Sequence, residues 1–162
     1  MGFTETVLGW ADTFPWLADL LQNPLLLAMG ITMLTTALVA ACVPGVIIPL
    51  AFSSGVLLGG WAGMLVVVTG ALLGSQLLFL LARYSLRDRV HAKLGSKLDR
   101  FDEHFADRGI FYIIGLRIAG APHFLVTGAS ALTPVRAGPF ALATLLGFLP
   151  IIAFTATAAS AI

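Results

Sequence analysis

Between Leu20 and Ala82 the chain has no Asp, Glu, Lys, Arg or His across 63 residues. Charged residues make up 10% of the chain, against about 25% in ordinary soluble domains. With 59% hydrophobic residues and a mean hydropathy of +0.98, a soluble globular domain is excluded. Lys and Arg are absent from residues 1–24, so the basic start of a secretory signal is missing and the apolar segments are expected to stay in the protein. The single cysteine, Cys42, excludes an internal disulfide. Metal-ligand spacing, a phosphate-binding loop ending in Lys-Ser or Lys-Thr, and a nucleophile elbow are all missing. An enzyme, a metal or cofactor protein and an ATP-driven pump are therefore not expected, and a net charge of +1 gives no reason to expect nucleic acid. No linker divides residues 1–162, so a single membrane domain is expected.

Charge is concentrated where it does occur. Of the seventeen Asp, Glu, Lys and Arg residues, twelve lie between Arg83 and Arg108, and seven of these are basic, which places this loop on the cytoplasmic side. Residues 1–24 mix aromatics, including Trp10 and Trp16, with Glu5, Asp12 and Asp19, as an interfacial segment does. Residues 25–43 are long enough for a first spanning helix ending at Pro44-Gly45. Residues 44–60 are too short to cross and are interrupted by Pro49, Gly55, Gly59 and Gly60, which predicts a re-entrant segment; a full crossing is the alternative. Residues 61–83 form a second span. In residues 84–109 apolar side chains recur at Leu86, Val90, Leu94, Leu98, Phe101 and Phe105, predicting an amphipathic surface helix ending near Gly109. Residues 110–136, broken at Gly120, Pro122 and Pro134, predict a second re-entrant segment, and residues 137–162 a last span kinked or broken near Pro150.

The fold expected is an all-α integral membrane protein: an inverted repeat of re-entrant broken helix plus transmembrane helix, with a surface amphipathic helix. Such repeats, with discontinuous helices meeting at mid-membrane, are a transporter architecture. The layout puts the amino terminus inside and the carboxyl terminus outside, although three acids and no bases near the start would favour the reverse.

Arg117 is the sharpest chemical feature. An arginine in an apolar, Gly/Pro-broken segment costs about 3 kcal/mol or more unless it faces a partner or a wet cavity. No carboxylate lies in the apolar segments, so a phosphate-bearing headgroup, held bidentately, or backbone carbonyls would satisfy it. Arg83 and Arg136 sit at the ends of spans, where they can attract the same anion or snorkel to lipid headgroups. His123 is a candidate proton relay, and Ser53, Ser54 and Thr127 are candidate polar lining. Gly55, Gly59, Gly63, Gly70 and Gly74 fit close helix packing.

Pro44-Gly45 with Gly55, Gly59, Gly63, Gly70, Gly74, Phe79 and Arg83, followed by Arg117, Pro122, Phe124, Phe140, Gly147 and Pro150, form a pattern that resembles the DedA superfamily of VTT-domain (SNARE-associated Golgi protein-like) membrane proteins, bacterial branch. The resemblance covers about residues 40–155. It implies two re-entrant loops facing each other, movement of phospholipids or polyprenyl phosphates between leaflets, proton-dependent envelope maintenance, and residence in the bacterial cytoplasmic (inner) membrane as a multi-pass protein. It also matches Arg117 to the family's loop arginine and Arg83 to the one closing the glycine-rich span. Val46 stands where many members carry an acid, and Gly120 where a proline often follows the arginine by three. These departures weaken carboxylate-based proton coupling here and favour passive scrambling. The leading expectation is a transporter or scramblase of phosphate-bearing lipids, whose partners are anionic membrane lipids and for which a homodimer is compatible with the small size. A small-solute or ion channel, or a non-transporting membrane scaffold, are the alternatives.

Overall fold

A computed structural model describes residues 23–94 and 108–161, and all regular structure among them is helical. The elements are α1 (Pro24–Ala40), α2 (Ile47–Leu58), α3 (Gly60–Leu94), α4 (108–118), α5 (His123–Leu132) and α6 (Ala137–Ala159). Two stretches, Gly60–Ser85 and Ala137–Ala159, are long and apolar enough to cross a membrane.

Asn23 starts α1 by accepting the N–H groups of Leu25 and Leu26, with Pro24 in the first turn where its missing N–H costs nothing. The helix stops when Cys42 turns left-handed (φ 62°). Its N–H then reaches the Val39 carbonyl and that of Val43 the Leu38 carbonyl, each at 3.1 Å, the paired bonds of a Schellman cap. The same cap ends α4, where Gly120 (φ 77°) donates to Arg117 O at 3.1 Å and Ala121 to Leu116 O at 2.9 Å. A proline follows each cap: Ala41-Cys42-Val43-Pro44 and Ala119-Gly120-Ala121-Pro122 are structurally equivalent turns.

Helix direction follows from where glycines admit a neighbour. A Cβ on Gly70 would lie 2.6 Å from Thr35 Cβ, and one on Gly74 2.6 Å from the Thr36 carbonyl and 2.9 Å from Val39 Cβ. Later residues of α1 meet later residues of α3, so the two run parallel and α1 begins near the level of Gly60. At about 1.5 Å per residue, its 17 residues cover about 25 Å and end just past Gly74, about halfway along Gly60–Ser85. Gly59 (φ 83°) then reverses the chain between α2 and α3, and Ser54 Oγ bonds the Gly63 carbonyl at 3.2 Å across that turn. Thus α1 and α2 together make a hairpin that starts and finishes beside the beginning of α3.

Helices α4 and α5 form a hairpin based at the far end of α3, where Arg83 and Gln76 bond the carbonyls of the α5–α6 connection and of Ala137. Helix α6 runs back antiparallel to α3, pairing Phe79 with Phe140 and Gly60 with Thr157. Two apolar clusters result. Ala51, Val67, Ala71, Ile152 and Ala156 fix the first hairpin to α3 and α6; Phe79, Ile113, Val126, Ala131 and Phe140 fix the second.

Several expected boundaries change. Residues 25–43 do not form one helix of spanning length, because the Schellman cap stops α1 at Ala40, about halfway along Gly60–Ser85; the hairpin comprises α1 and α2 rather than residues 44–60. Pro49 and Gly55 do not interrupt α2, since Pro49 falls in its first turn. No break separates residues 61–83 from 84–109, because α3 continues to Leu94 and has no glycine or proline after Gly74 to stop it. Gly109 lies inside the helical stretch 108–118 instead of ending a helix, and α6 is unbroken at Pro150. Asn23 and Ser160 lie at the same end of the bundle, where opposite ends were expected. The expected interfacial segment up to residue 22 and the remainder of the surface helix, 95–107, lie outside the described residues.

Candidate anion-binding cavity

The two hairpin tips meet beside the middle of α6 and line an open cavity of about 680 Å³. Pro44, Gly45 and Ile47 line it from the first tip, and Arg117, Pro122 and His123 from the second. Its wall on α6 comes from Gly147, Phe148, Pro150 and Phe154. Gly45 (φ 73°) has the left-handed backbone that glycine adopts without strain.

Arg117 is the buried charge of this cavity, with 5% of its surface exposed. Its stem crosses α6 at Gly147, where an added Cβ would come within 2.7 Å of Arg117 Cβ and 2.9 Å of Cδ. Nη2 donates to Thr127 Oγ1 at 3.2 Å, and Nη1 lies 3.1 Å from His123 Nδ1. If that contact is a hydrogen bond, the guanidinium donates and His123 Nδ1 is the unprotonated nitrogen. The guanidinium carbon sits 4.4 Å from the Phe148 ring centre and 5.5 Å from that of Phe140. Cation–π contact of this kind contributes about 2 kcal/mol when desolvated. Arg117 Nε is buried without a protein partner, as is Thr144 Oγ1, while His123 also faces the Val39 backbone. No ion pair involves Arg117 among the described residues, and the sequence contains no Asp or Glu after Asp107. The site therefore combines a fixed cation, unspent donors and apolar walls, a combination that accepts an anion attached to something apolar.

The structure brings Arg117, His123 and Thr127 together and leaves the other expected contacts of the headgroup elsewhere. Arg83 does not line the cavity. Its Nη1 donates to the Val135 carbonyl at 2.5 Å and Nη2 to the Thr133 carbonyl at 3.4 Å, with the guanidinium 5.4 Å from the Phe79 ring. It ties down the turn between α5 and α6. Arg136 is exposed at the start of α6, also away from the cavity. Ser53 is exposed, whereas Ser54 is buried and bonds Ala51 O and Gly63 O within the α2–α3 hairpin. Gly55 packs on the Ala156 backbone and Gly63 on Ser54. Phe124 lies 41% exposed on the cavity rim.

Sequence reasoning missed Phe148 as the face beneath the guanidinium and Gln76 as a bond to Ala137 O. The signal for Phe148 was available: Phe140, Thr144 and Phe148 recur every four residues, on one helical face with Gly147.

A family model, the VTT domain, matches residues 43–161. No curated protein matches the chain, and no solved structure matches it.

Proposed function

The chain belongs to the VTT-domain family, the DedA/SNARE-associated Golgi protein-like membrane proteins, and from that premise we propose that it moves phosphate-bearing lipids between the leaflets of a bacterial cytoplasmic membrane. The observation that carries the reading is Arg117: a 5%-exposed guanidinium, in the cavity where the hairpin tips meet, with no carboxylate to neutralise it among the described residues. A headgroup phosphate supplies the missing charge, and the aliphatic and aromatic rim lets acyl or prenyl chains remain in lipid. Helices α3 and α6 would span the bilayer, with each hairpin re-entrant from one face and the tips meeting near the midplane. With the charged loop cytoplasmic, Asn23 and Ser160 face outward.

The test is reconstitution into liposomes with fluorescent phospholipid or prenyl phosphate, reading the outer-leaflet fraction by dithionite quenching. Arg117→Gln, at matched incorporation, is expected to slow translocation tenfold or more. Equal rates in both proteins would refute the assignment of Arg117; permeation of small solutes without lipid movement would replace lipid transport with a channel.

A further inference from the structure

Two helices begin at the cavity, and neither is capped. Val46 and Pro122 occupy the cap positions of α2 and α5, and neither makes a side-chain cap bond. Helix α1 is capped by Asn23, whereas α6, which begins away from the cavity, is uncapped like α2 and α5. Among the described residues, the N–H groups of Ile47 and Ile48 in α2, and of His123 and Phe124 in α5, make no side-chain cap bond and no well-formed backbone hydrogen bond, although the turn at 44–46 leads directly into α2. All four residues line the one cavity. An uncapped first turn alone signifies little, since water can satisfy it. Here a second observation points the same way: Arg117, 5% exposed, lines this cavity with its Nε buried and unpartnered.

We propose that the first turns of α2 and α5 form a backbone seat for one tetrahedral oxyanion of the phosphate class, each repeat supplying half of the N–H donors and Arg117 lying behind them. Each helix start carries about +0.5 of an elementary charge from its aligned peptides, and both line the cavity that Arg117 also lines. The arrangement explains why the tips come together without a polar side chain from the first: Val39, two residues before the α1 cap, occupies the place that Arg117 holds before the α4 cap, and the first repeat contributes backbone instead. The seat deepens the transport reading by naming what holds the anion, and it rests on that reading only for the anion's being carried by a lipid.

Binding rather than transport tests it. Inorganic phosphate and dodecyl phosphate are titrated into the purified full chain in non-ionic detergent by calorimetry, comparing Ile47→Pro with Ile47→Ala and Phe124→Pro with Phe124→Ala. Each pair truncates the same side chain, but only proline lacks the N–H, and both positions lie in the first helical turn, where proline is best tolerated. A hydrogen bond to a charged group is lost in each proline variant, so binding is expected to be about tenfold weaker than in its alanine partner. In the native chain, the amide signals of residues 47, 48, 123 and 124 should shift on saturation in ¹⁵N-resolved spectra, a readout that needs no variant and decides the matter should a proline variant not fold. Binding of dodecyl phosphate alone assigns the seat to a lipid-borne anion, and binding of both assigns it to the phosphate group itself. Proline and alanine variants agreeing within twofold, unmoved amides, or a native chain that binds neither ligand would each overturn the seat. Loss of translocation with the amide shifts retained would instead remove the transport reading and leave the seat standing.

Discussion

Gly147→Ala adds one methyl group to the centre of α6 and asks whether the groove under Arg117 is needed. The new Cβ would stand 2.7 Å from Arg117 Cβ and 2.9 Å from Cδ. Carbon atoms rest at about 3.5–4.0 Å, so the arginine stem must retreat by about 1 Å. The contacts at 3.1 and 3.2 Å to His123 and Thr127 cannot both survive a shift of that size, because each would pass about 4 Å. Loss of one hydrogen bond to a charged group costs about 1.5–3 kcal/mol, and overpacking a filled site adds about 1–3 kcal/mol. The measurements are thermal unfolding in detergent and affinity for dodecyl phosphate, which should fall about tenfold. Gly128→Ala is the control: it makes the same chemical change within helix α5, where nothing lies within 4 Å of the added atom. Alanine there should be neutral or stabilising by up to about 1 kcal/mol. If Gly147→Ala matches Gly128→Ala in both measurements, the groove has no role in placing the guanidinium.

Arg83→Gln should leave phosphate affinity within twofold of the native value while speeding amide exchange in residues 133–137, because it releases the carbonyls of Thr133 and Val135; a large affinity loss would return Arg83 to the binding site. Cys42→Gly should stabilise the chain by about 1 kcal/mol, since glycine removes the cost of a left-handed residue at the α1 cap, and a lower unfolding temperature would contradict the Schellman geometry. In a Cys42→Ser background, cysteines placed at Asn23 and Ser160 should react with an impermeant maleimide from the same side of sealed vesicles, and one at the exposed Tyr84 from the other; labelling of Asn23 and Ser160 from opposite sides would restore a full crossing by α1.

Membrane residence was legible in the uncharged stretch from Leu20 to Ala82, and Arg117 in its isolation from every carboxylate. The point at which α1 stops was not. Nineteen apolar or hydroxyl residues read the same whether they cross a bilayer or stop halfway, and the stop is made by Cys42 adopting a conformation usually given to glycine or asparagine. Its equivalence to Gly120 was present as a proline-terminated pair of turns, but composition hides it, because valine and cysteine replace the alanine and glycine of the second copy. Helix α3 could have been read as continuous past Arg83, since the change from apolar to charged residues alters the helix's surroundings without interrupting its backbone. Arg83 and Arg117 were both readable as headgroup contacts, the first at the end of a span and the second within a broken apolar segment. They differ in what the fold offers nearby: the α5–α6 turn leaves carbonyls for Arg83, whereas the meeting of the tips leaves Arg117 with donors to spare.

Cys42 lines the cavity wall, is half-buried, and is the only thiol in the sequence. A bromobimane or nitroxide reagent that reacts with thiols therefore has a single destination in the unaltered protein, next to the proposed ligand. Occupancy, wetting by a water-soluble quencher and contact with dissolved oxygen can all be read spectroscopically from that one attachment point, with every other residue native.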